Sequence, residues 1–352
     1  MSETQPRVPS DDPVPHRRRP RYRGTHPRRF EEKYKELNPE RYAATVAKVV
    51  ASGKTPAGSH RSIMVAEILE ILAPQPGDVA LDATLGHGGH AQEILPRLQP
   101  GGRLLGLDAD PIELPKTETR LRALGFGADV FTAHRSNFAG LPQVLAQTEL
   151  GRADLILADL GVSSMQIDDP TRGFSVKLDG PLDMRMNPQR SETAAGLLQR
   201  ITPVALAALL LENSDEPQAA TLASALAGKS FATTRTLSVA IRTALPRLSK
   251  EDLDLTARRV FQALRITVND EFSALETFLR NLPGCLNPGG RVAILSFHSG
   301  EDRRVKKAFE AGFRAGVYAE IAHEVQRPTA AERNANPRSA PAKLRWAQRS
   351  DS

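Results

Sequence analysis

The chain has 352 residues, of which 40% are hydrophobic and 25% are charged, so it can bury a substantial core in about two domains. Its formal charge of +6 favours anionic partners, and nucleic acid is the commonest of these. The single cysteine, Cys285, excludes an intrachain disulfide and a thiolate zinc cluster. No apolar stretch approaches the roughly 20 residues that span a bilayer, so we expect a cytoplasmic protein with no membrane partner.

The first 58 residues predict a basic and largely disordered extension. The segment "HRRRPRYRGTHPRR" is rich in proline and arginine and poor in aliphatic residues, so burial cannot offset the entropy lost on ordering. Such an arm either attracts phosphate groups at modest salt or only keeps the protein soluble, and the sequence favours neither role.

From about residue 60, helix and strand patterns alternate. Helices are predicted at "SIMVAEILEILA" and "HAQEILPRL", and strands at "DVALDAT", "GRLLGLDAD" and "ADLILADLG", with weaker signals near "GADVFTAHRSNF". Alternating patterns with apolar strands predict an α/β fold in which helices cover both faces of a mainly parallel sheet.

The regular alternation stops after residue 171. A long irregular segment, "VSSMQIDDPTRGFSVKLDGPLDMRMNP", leads into an Ala- and Leu-rich helical stretch over residues 191–256. One long helix over 258–282 and a buried strand, "RVAILSF", then return the chain to the sheet. We therefore expect a core made of 59–171 and 257–352, with 172–256 as a loop and helical insertion.

Acidic residues follow the predicted strands, and one of them precedes a glycine turn. Ligands of open parallel sheets bind beyond the carboxyl ends of the strands, where the strand order reverses. Asp82, Asp108, Asp159 and the sequence "SFH" that ends at His298 occupy such ends. We expect all four strand ends to open onto one crevice.

The turn "GHGGHA", residues 86–91, matches the dinucleotide fingerprint. Asp108 follows it at about the sequence spacing expected of the acid that contacts the ribose. NAD and S-adenosyl-L-methionine both fit these features. A dinucleotide brings a pyrophosphate, which Asp82 and Asp159 would repel, whereas S-adenosylmethionine brings a sulfonium and an ammonium. The charges favour S-adenosylmethionine; aspartates that only cap helices remain the structural alternative.

Residue type alone makes four residues candidate metal ligands: His87, His90, His298 and Asp302. Two histidines three residues apart in a glycine turn are not a known ligand spacing, so we expect no metal.

Two helices have a face suited to RNA. Polar residues Arg258, Gln262, Arg265 and Asn269 share one stripe of the long helix, which is either a solvated face or a phosphate contact. The helix after "SFH" is basic and would lie beside the crevice, and Phe174 or Phe297 could stack on a base, although core packing competes for Phe297.

These segments together resemble a known family. The blocks "LDATLGHGGHAQEIL", "GLDADP", "DLGVSSMQIDDPTRGFSVKLDGPLDMRMNP", "RRVFQALRITVNDE", "AILSFHSGEDRRVKKAF" and "NPRSAPAKLR" look like those of the bacterial small-subunit (16S) ribosomal RNA cytosine-N4 methyltransferases, the RsmH or MraW family. The resemblance runs from about Ser59 to Arg349. It departs at Met165, Gly300, Ala340 and Pro341 and in "HRSIMV"; Gly300 is expected to loosen the turn after His298.

The resemblance implies a Rossmann-like class I methyltransferase core, an inserted helical domain for substrate recognition, and methylation of the exocyclic N4 of a decoding-region cytidine. The expected partner is therefore 16S ribosomal RNA in the small ribosomal subunit, and naked RNA and the assembled subunit stay open as the form of the substrate. The family's S-adenosylmethionine contacts correspond to Gly88, Gly89, His90, Asp108, Phe138, Asp159 and Gln166.

Methyl transfer to N4 needs a group that orients the amine and accepts its proton, but no covalent nucleophile. Methylation at C5 would need a thiolate, and Cys285 precedes its strand, which is a poor position. The candidate catalytic residues are Asp159, Ser163, Ser164, Asp183 and His298. The candidate RNA contacts are Phe174, Arg185, Arg258, Arg265, Asn269, Phe297, Arg303 and Lys306. An NAD-linked oxidoreductase and a non-catalytic RNA-binding protein remain the alternatives.

Overall fold

The computed structural model describes residues 62–189 and 192–351. The predicted basic extension over residues 1–58 lies outside the described residues.

Seven strands form one sheet in the order β3-β2-β1-β4-β5-β7-β6. The strands are β1 (Val79–Asp82), β2 (Arg103–Asp108), β3 (Phe131–Arg135), β4 (Ala153–Asp159), β5 (Leu286–Ser296), β6 (Tyr318–Ile321) and β7 (Lys343–Arg349). The first five pair in parallel, and β7 pairs antiparallel to both β5 and β6. The order reverses between β1 and β4, because the chain passes from β1 outward to β3 before it returns to β4.

Helices cover both faces of the sheet, which confirms the predicted α/β class. The helices of the core are α1 (Val65–Leu72), α2 (Gly89–Ile94), α3 (Glu113–Ala123), α4 (Leu141–Gln147), α5 (Ser164–Asp168), α11 (Glu271–Cys285), α12 (Ser299–Arg314) and α13 (Ala330–Ala335). Strand residues alternate between two buried clusters: Leu81 and Ile156 face α4 and α11, whereas Ala80 and Leu157 face α1 and α3. This period of two, with both faces apolar, is why the strands appear as continuous hydrophobic runs.

Between β4 and β5 the chain adds a separate helical cluster. Its helices are α6 (Ala194–Arg200), α7 (Pro203–Ser214), α8 (Ala219–Leu226), α9 (Thr234–Ala244) and α10 (Lys250–Asn269). Leucines of these helices and Phe261 of α10 bury one another in a core of their own. That core continues beyond residue 256 to Val268, so α10 belongs to the helical cluster for most of its length.

The predicted single helix over 258–282 is wrong. Helix α10 ends at Asn269 and α11 begins at Glu271, because Asp270 adopts a left-handed conformation with φ of 52°. Aspartate tolerates this conformation better than most residues, so it can end one helix and begin the next. The break turns the polar end of α10 toward the crevice.

The basic C-terminal segment is part of the sheet, which its sequence did not indicate. Strand β7 inserts between β5 and β6, and Leu344 and Ala347 are fully buried. Among the described residues, no helix combines the length and apolar character needed to cross a membrane.

Candidate functional site

A cleft of about 960 Å³ opens at the carboxyl ends of β1, β2, β3 and β4, where the strand order reverses. Three of the four predicted strand ends line it, through Asp108, Asp159 and Phe297. Asp82 does not: it lies behind the glycine turn, 2% exposed, where its Oδ1 accepts a hydrogen bond from Thr84 N. Its burial raises the pKa of its carboxyl to about 6.

The glycine turn joins β1 to α2, and the fold itself uses most of its N–H groups. Leu85 N donates to Leu107 O, Gly86 N to Asp108 Oδ2 and Gly88 N to Leu85 O. Gly88 has a φ of 72°, and a Cβ there would lie 2.9 Å from Thr117 Cγ2, so only glycine fits. A pyrophosphate site needs free N–H groups at such a turn, and these three are already engaged.

Asp108 ends β2 at the wall of the cleft, with each carboxylate oxygen held by one backbone donor. Gly86 N donates to Oδ2 at 2.7 Å and Asp110 N to Oδ1 at 2.8 Å. Burial raises the pKa of Asp108 to about 6, although both hydrogen bonds oppose the shift. The remaining lone pairs can accept the hydroxyl groups of a ribose.

Asp159 ends β4 at the point of reversal, and its carboxylate is 30% exposed to the cleft. Its backbone N donates to Thr84 Oγ1, which fixes the strand end. Burial, followed by the negative charge of Glu301, raises the pKa of Asp159 to about 7. No lysine or arginine of the described residues pairs with this carboxylate, so the cleft contains an acid that lacks a cation.

His90 lies on the first turn of α2, 7% exposed, between Ile63 and Asp159. Its Nε2 is 3.0 Å from Ile63 O, and its Nδ1 is 3.7 Å from Asp159 Oδ2. Burial lowers the pKa of His90, which favours the neutral ring.

Gln166 lines the cleft through a network that ties the loop after β4 to β2. Ser163 caps α5 by accepting from Gln166 N, while the Gln166 Oε1 accepts from Ser163 N. Gln166 Nε2 donates to Asp110 Oδ2 at 2.7 Å, and Arg172 Nη1 lies 2.9 Å from the same oxygen. Because Asp110 is 1% exposed, this charge depends on Arg172.

Of the remaining predicted cofactor residues, Gly88 is buried and does not line the cleft. Gly89 and Phe138 line it, and the Phe138 ring packs edge-on against Phe278 with centroids 5.6 Å apart. Ser163 and Ser164 line the cleft beside Asp159.

Two of the candidate catalytic residues lie outside the cleft lining. The Asp183 carboxylate is held by Arg185, with Nε donating to Oδ1 at 2.8 Å. Burial acts to raise the pKa of Asp183, but the hydrogen bonds from Arg185 outweigh it and keep the pKa low. His298 caps α12, where its Nδ1 accepts from Glu301 N and its Nε2 lies 3.2 Å from Glu301 Oε1. Neither side chain is placed to touch a reacting group in the cleft.

Two residues of the expected polar stripe on α10 make hydrogen bonds within the protein and do not form an open surface. Arg265 reaches across the helix break to Glu271 with two hydrogen bonds of 2.9 Å, and both residues line the cleft. Asn269 also lines it while binding Met186 N and Met184 O. These two residues therefore build one wall of the cleft.

The other candidate RNA contacts differ in exposure. Phe174 is 8% exposed within the helical core, so its ring offers no face to a base; this expectation is wrong for the structure as it stands. Phe297 lines the cleft. Arg303 pairs with Asp215 and Lys306 with Glu310 on the surface, and Arg258 is exposed.

Gly300 is tightly packed, which corrects the expectation that it loosens the turn. A Cβ at this position would lie 2.6 Å from Phe272 Cζ. The Phe272 ring is covered in turn by the Arg304 guanidinium, 3.6 Å from the ring centroid. Phe272 thus occupies the space above Gly300.

Sequence reasoning missed two groups of the cleft. Glu301, 3% exposed, folds back so that its Oε2 accepts from Phe297 N at 2.9 Å. Burial acts to raise its pKa, but His298 and Arg265 outweigh this and hold the pKa of Glu301 below its ordinary value. Arg338 reaches the cleft from the C-terminal segment and binds Asp168 at 2.8 and 3.0 Å. Acids next to "SFH" and arginines in a proline-rich segment were visible in the sequence, but only the fold brings them here.

Comparison with known proteins identifies relatives along almost the whole chain. A model of the MraW methylase family matches residues 57–350. Ribosomal RNA small subunit methyltransferase H 1 of Lachnoclostridium phytofermentans is 51% identical over 347 residues, which cover 96% of this chain and 94% of that protein. Methyltransferase H 2 of Alkaliphilus metalliredigens is 52% identical over 339 residues, which cover 94% and 97%. Methyltransferase H 1 of Agathobacter rectalis is 48% identical over 345 residues, which cover 96% and 98%.

Replacement of Arg172 by alanine tests the network behind Gln166. The change leaves Asp110 buried without its cation, so the free energy of unfolding should fall by about 3 kcal/mol. Urea denaturation measures the change. The control is Arg200→Ala, whose partner Glu192 is on the surface, and which should cost under about 0.5 kcal/mol. Equal costs for the two variants would contradict the role assigned to Arg172.

Proposed function

The chain belongs to the MraW methylase family, and on this premise we propose that it methylates the exocyclic N4 of a cytidine in the decoding region of 16S ribosomal RNA, with S-adenosyl-L-methionine as methyl donor. One observation carries the proposal: the Asp159 carboxylate faces the cleft at the reversal of strand order, and no lysine or arginine within residues 62–189 and 192–351 pairs with it. Three similar proteins are named small-subunit ribosomal RNA methyltransferases, which supports the substrate class.

The residues of the cleft fit this cofactor. Asp108 offers lone pairs to a ribose, Asp159 offers a negative charge to a cation, and the engaged N–H groups of the glycine turn disfavour a pyrophosphate. We assign cofactor contact to Gly88, Gly89, His90, Asp108, Phe138, Asp159 and Gln166. Bound S-adenosylmethionine supplies an electrophilic methyl group on its sulfonium.

On the side of the chain, catalysis consists of orientation and proton acceptance. The N4 lone pair is delocalised into the ring, so acceptors for the amino protons help to localise it as charge develops. Asp159 is the proton acceptor in this proposal, because its raised pKa keeps it a competent base near neutral pH. Ser163 and Ser164 lie beside it and help to orient the base, whereas Asp183 and His298 act only through Arg185 and Glu301.

The helical insertion contributes to substrate recognition in this proposal. Met186 and Asn187, in the segment before α6, and Asn269 at the end of α10 line the cleft opposite the sheet. A target base must leave its stack to enter, which costs a few kcal/mol, and Phe297 lies in the cleft to receive it. Arg185, Arg258, Arg265, Arg303 and Lys306 are assigned to the RNA side.

The proposed reaction is tested directly on RNA. Unmodified 16S ribosomal RNA and assembled small subunits are incubated separately with the protein and S-adenosylmethionine, then digested to nucleosides for mass spectrometry. We expect N4-methylcytidine, and a loss of at least about 100-fold in rate for Asp159→Asn because the proton acceptor is gone. An exposed carboxylate on α3 supplies the control, Glu118→Gln, which should retain the wild-type rate.

Two results would contradict the proposal. A methyl group on C5 or on a ribose would show a different reaction. If the protein binds the RNA and the cofactor but the wild type transfers no methyl group, it acts as an RNA-binding protein without this activity.

Replacement of Cys285 by alanine separates N4 from C5 chemistry. Cys285 is 4% exposed at the end of α11, packed in the core of the sheet, and burial raises the pKa of its thiol to about 11. Such a thiol cannot act as a nucleophile near neutral pH. Methylation assays with Cys285→Ala should give a rate within about twofold of wild type, whereas a thiolate mechanism predicts complete loss.

A further inference from the structure

Two hydrogen-bond acceptors face each other inside the cleft. His90 Nε2 is 3.0 Å from Ile63 O, and a carbonyl oxygen can only accept, so Nε2 carries the ring proton of the neutral histidine. The other nitrogen, Nδ1, is then a bare lone pair, and it lies 3.7 Å from Asp159 Oδ2. A carboxylate oxygen opposite a lone pair is repulsive unless a proton lies between them.

The charges around this pair add to its affinity for a proton. The titratable groups that act most strongly on Asp159 and His90 from the neighbouring elements are Asp82 on β1, Glu93 on α2, Glu301 on α12 and Glu332 on α13. All four are carboxyl groups. Burial raises the pKa of Asp159 to about 7 and lowers that of His90, so the proton stays mainly on the carboxyl.

We propose that Asp159 carries a proton in the cofactor-free protein, where it faces the bare Nδ1 of His90, and that the positive sulfonium of S-adenosylmethionine displaces this proton whereas the neutral thioether of S-adenosylhomocysteine does not. The proposal rests on the proposed function, because it assumes that this cleft holds the cofactor. It makes the pair a specificity determinant, since methyl donor and product differ by one charge.

The proton balance closes over one reaction cycle. Cofactor binding releases one proton from the pair and leaves Asp159 as a free base. Asp159 then accepts one N4 proton as the N–C bond forms and the S–C bond breaks, with the bonding electron pair remaining on sulfur. After the transfer Asp159 is protonated again, and the neutral thioether of S-adenosylhomocysteine gains no charge interaction with it. One proton per methyl transfer reaches solvent, as the overall reaction requires.

Linkage gives the expected pH dependence. Below the pKa of about 7, the cofactor must expel a proton, so its affinity is weaker there and rises as the pH rises. Affinity for S-adenosylmethionine should increase about tenfold between pH 6 and pH 8 and then level off. Affinity for S-adenosylhomocysteine should change little over this range.

Isothermal titration calorimetry with the full chain tests the proposal without any turnover. Each ligand is titrated at pH 6.5 in two buffers of different ionisation enthalpy, which yields the number of protons released. Because both ligands carry the same adenosine and amino acid groups, subtraction removes the contribution of Asp108. We expect S-adenosylmethionine to release about 0.7 more protons than S-adenosylhomocysteine at pH 6.5, where the ammonium groups of both free ligands are protonated.

Variants assign the proton to the pair. His90→Gln retains a donor toward Ile63 O but loses the acceptor opposite Asp159. The difference in proton release between the two ligands should therefore fall to less than half of its wild-type value. Asp159→Asn should abolish it. The control is Glu118→Gln, an exposed carboxylate on α3 that is not among the groups acting on the pair, which should leave the difference in proton release unchanged.

The outcomes separate the two proposals. No binding of either ligand would contradict the proposed cofactor. Binding of both ligands with equal proton release would overturn the proposed displacement of the Asp159 proton while leaving the cofactor assignment intact. A difference that persists undiminished in Asp159→Asn would assign the proton to another group and overturn the proposal as well.

Discussion

The carboxyl ends of parallel strands meet at one edge of a sheet, and in this chain three of the strand ends there carry aspartates. Asp108 and Asp159 face the cleft, and Asp82 is buried just behind it. Burial, with a smaller contribution from the negative charges nearby, raises the pKa values of all three and favours a positive charge beside them. The described lysines and arginines do not supply that charge at Asp159, which is why a cationic ligand accounts for the arrangement.

Other charged groups near the cleft are paired with one another. Arg265 binds Glu271, Arg172 binds Asp110, and Arg338 binds Asp168. These pairs join the helical insertion, the loop after β4 and the C-terminal segment to the sheet. They set the shape of the cleft around Asp159 without neutralising it.

The features that could be predicted from the sequence depend on residues that are close together along the chain. Apolar runs ending in Asp82, Asp108 and Asp159 predicted both the strands and the edge at which the cleft forms, and the glycine turn followed from its spacing. The insertion was predicted because the strand after it had to return to the same sheet.

The features that could not be predicted depend on single residues or on distant pairing. One left-handed residue, Asp270, splits a continuous helical pattern. The helical periodicity therefore placed Arg265 on a polar stripe of one long helix, whereas the structure places it beside Glu271. Strand β7 was missed because basic residues interrupt its apolar ones without a regular alternation, and because its partner β5 lies far away in sequence. Phe174 was misjudged because burial in a helical core has no local signal.

We propose that the Asp159 carboxylate, which pairs with no lysine or arginine of the described residues, binds a cationic cofactor. A crystal structure of the protein with S-adenosylmethionine tests it most directly. The account predicts the ribose hydroxyls on Asp108 and a positively charged group of the cofactor within about 4 Å of the Asp159 carboxylate. A ligand whose ribose lies away from Asp108, or whose charged groups are all turned from Asp159, would contradict it.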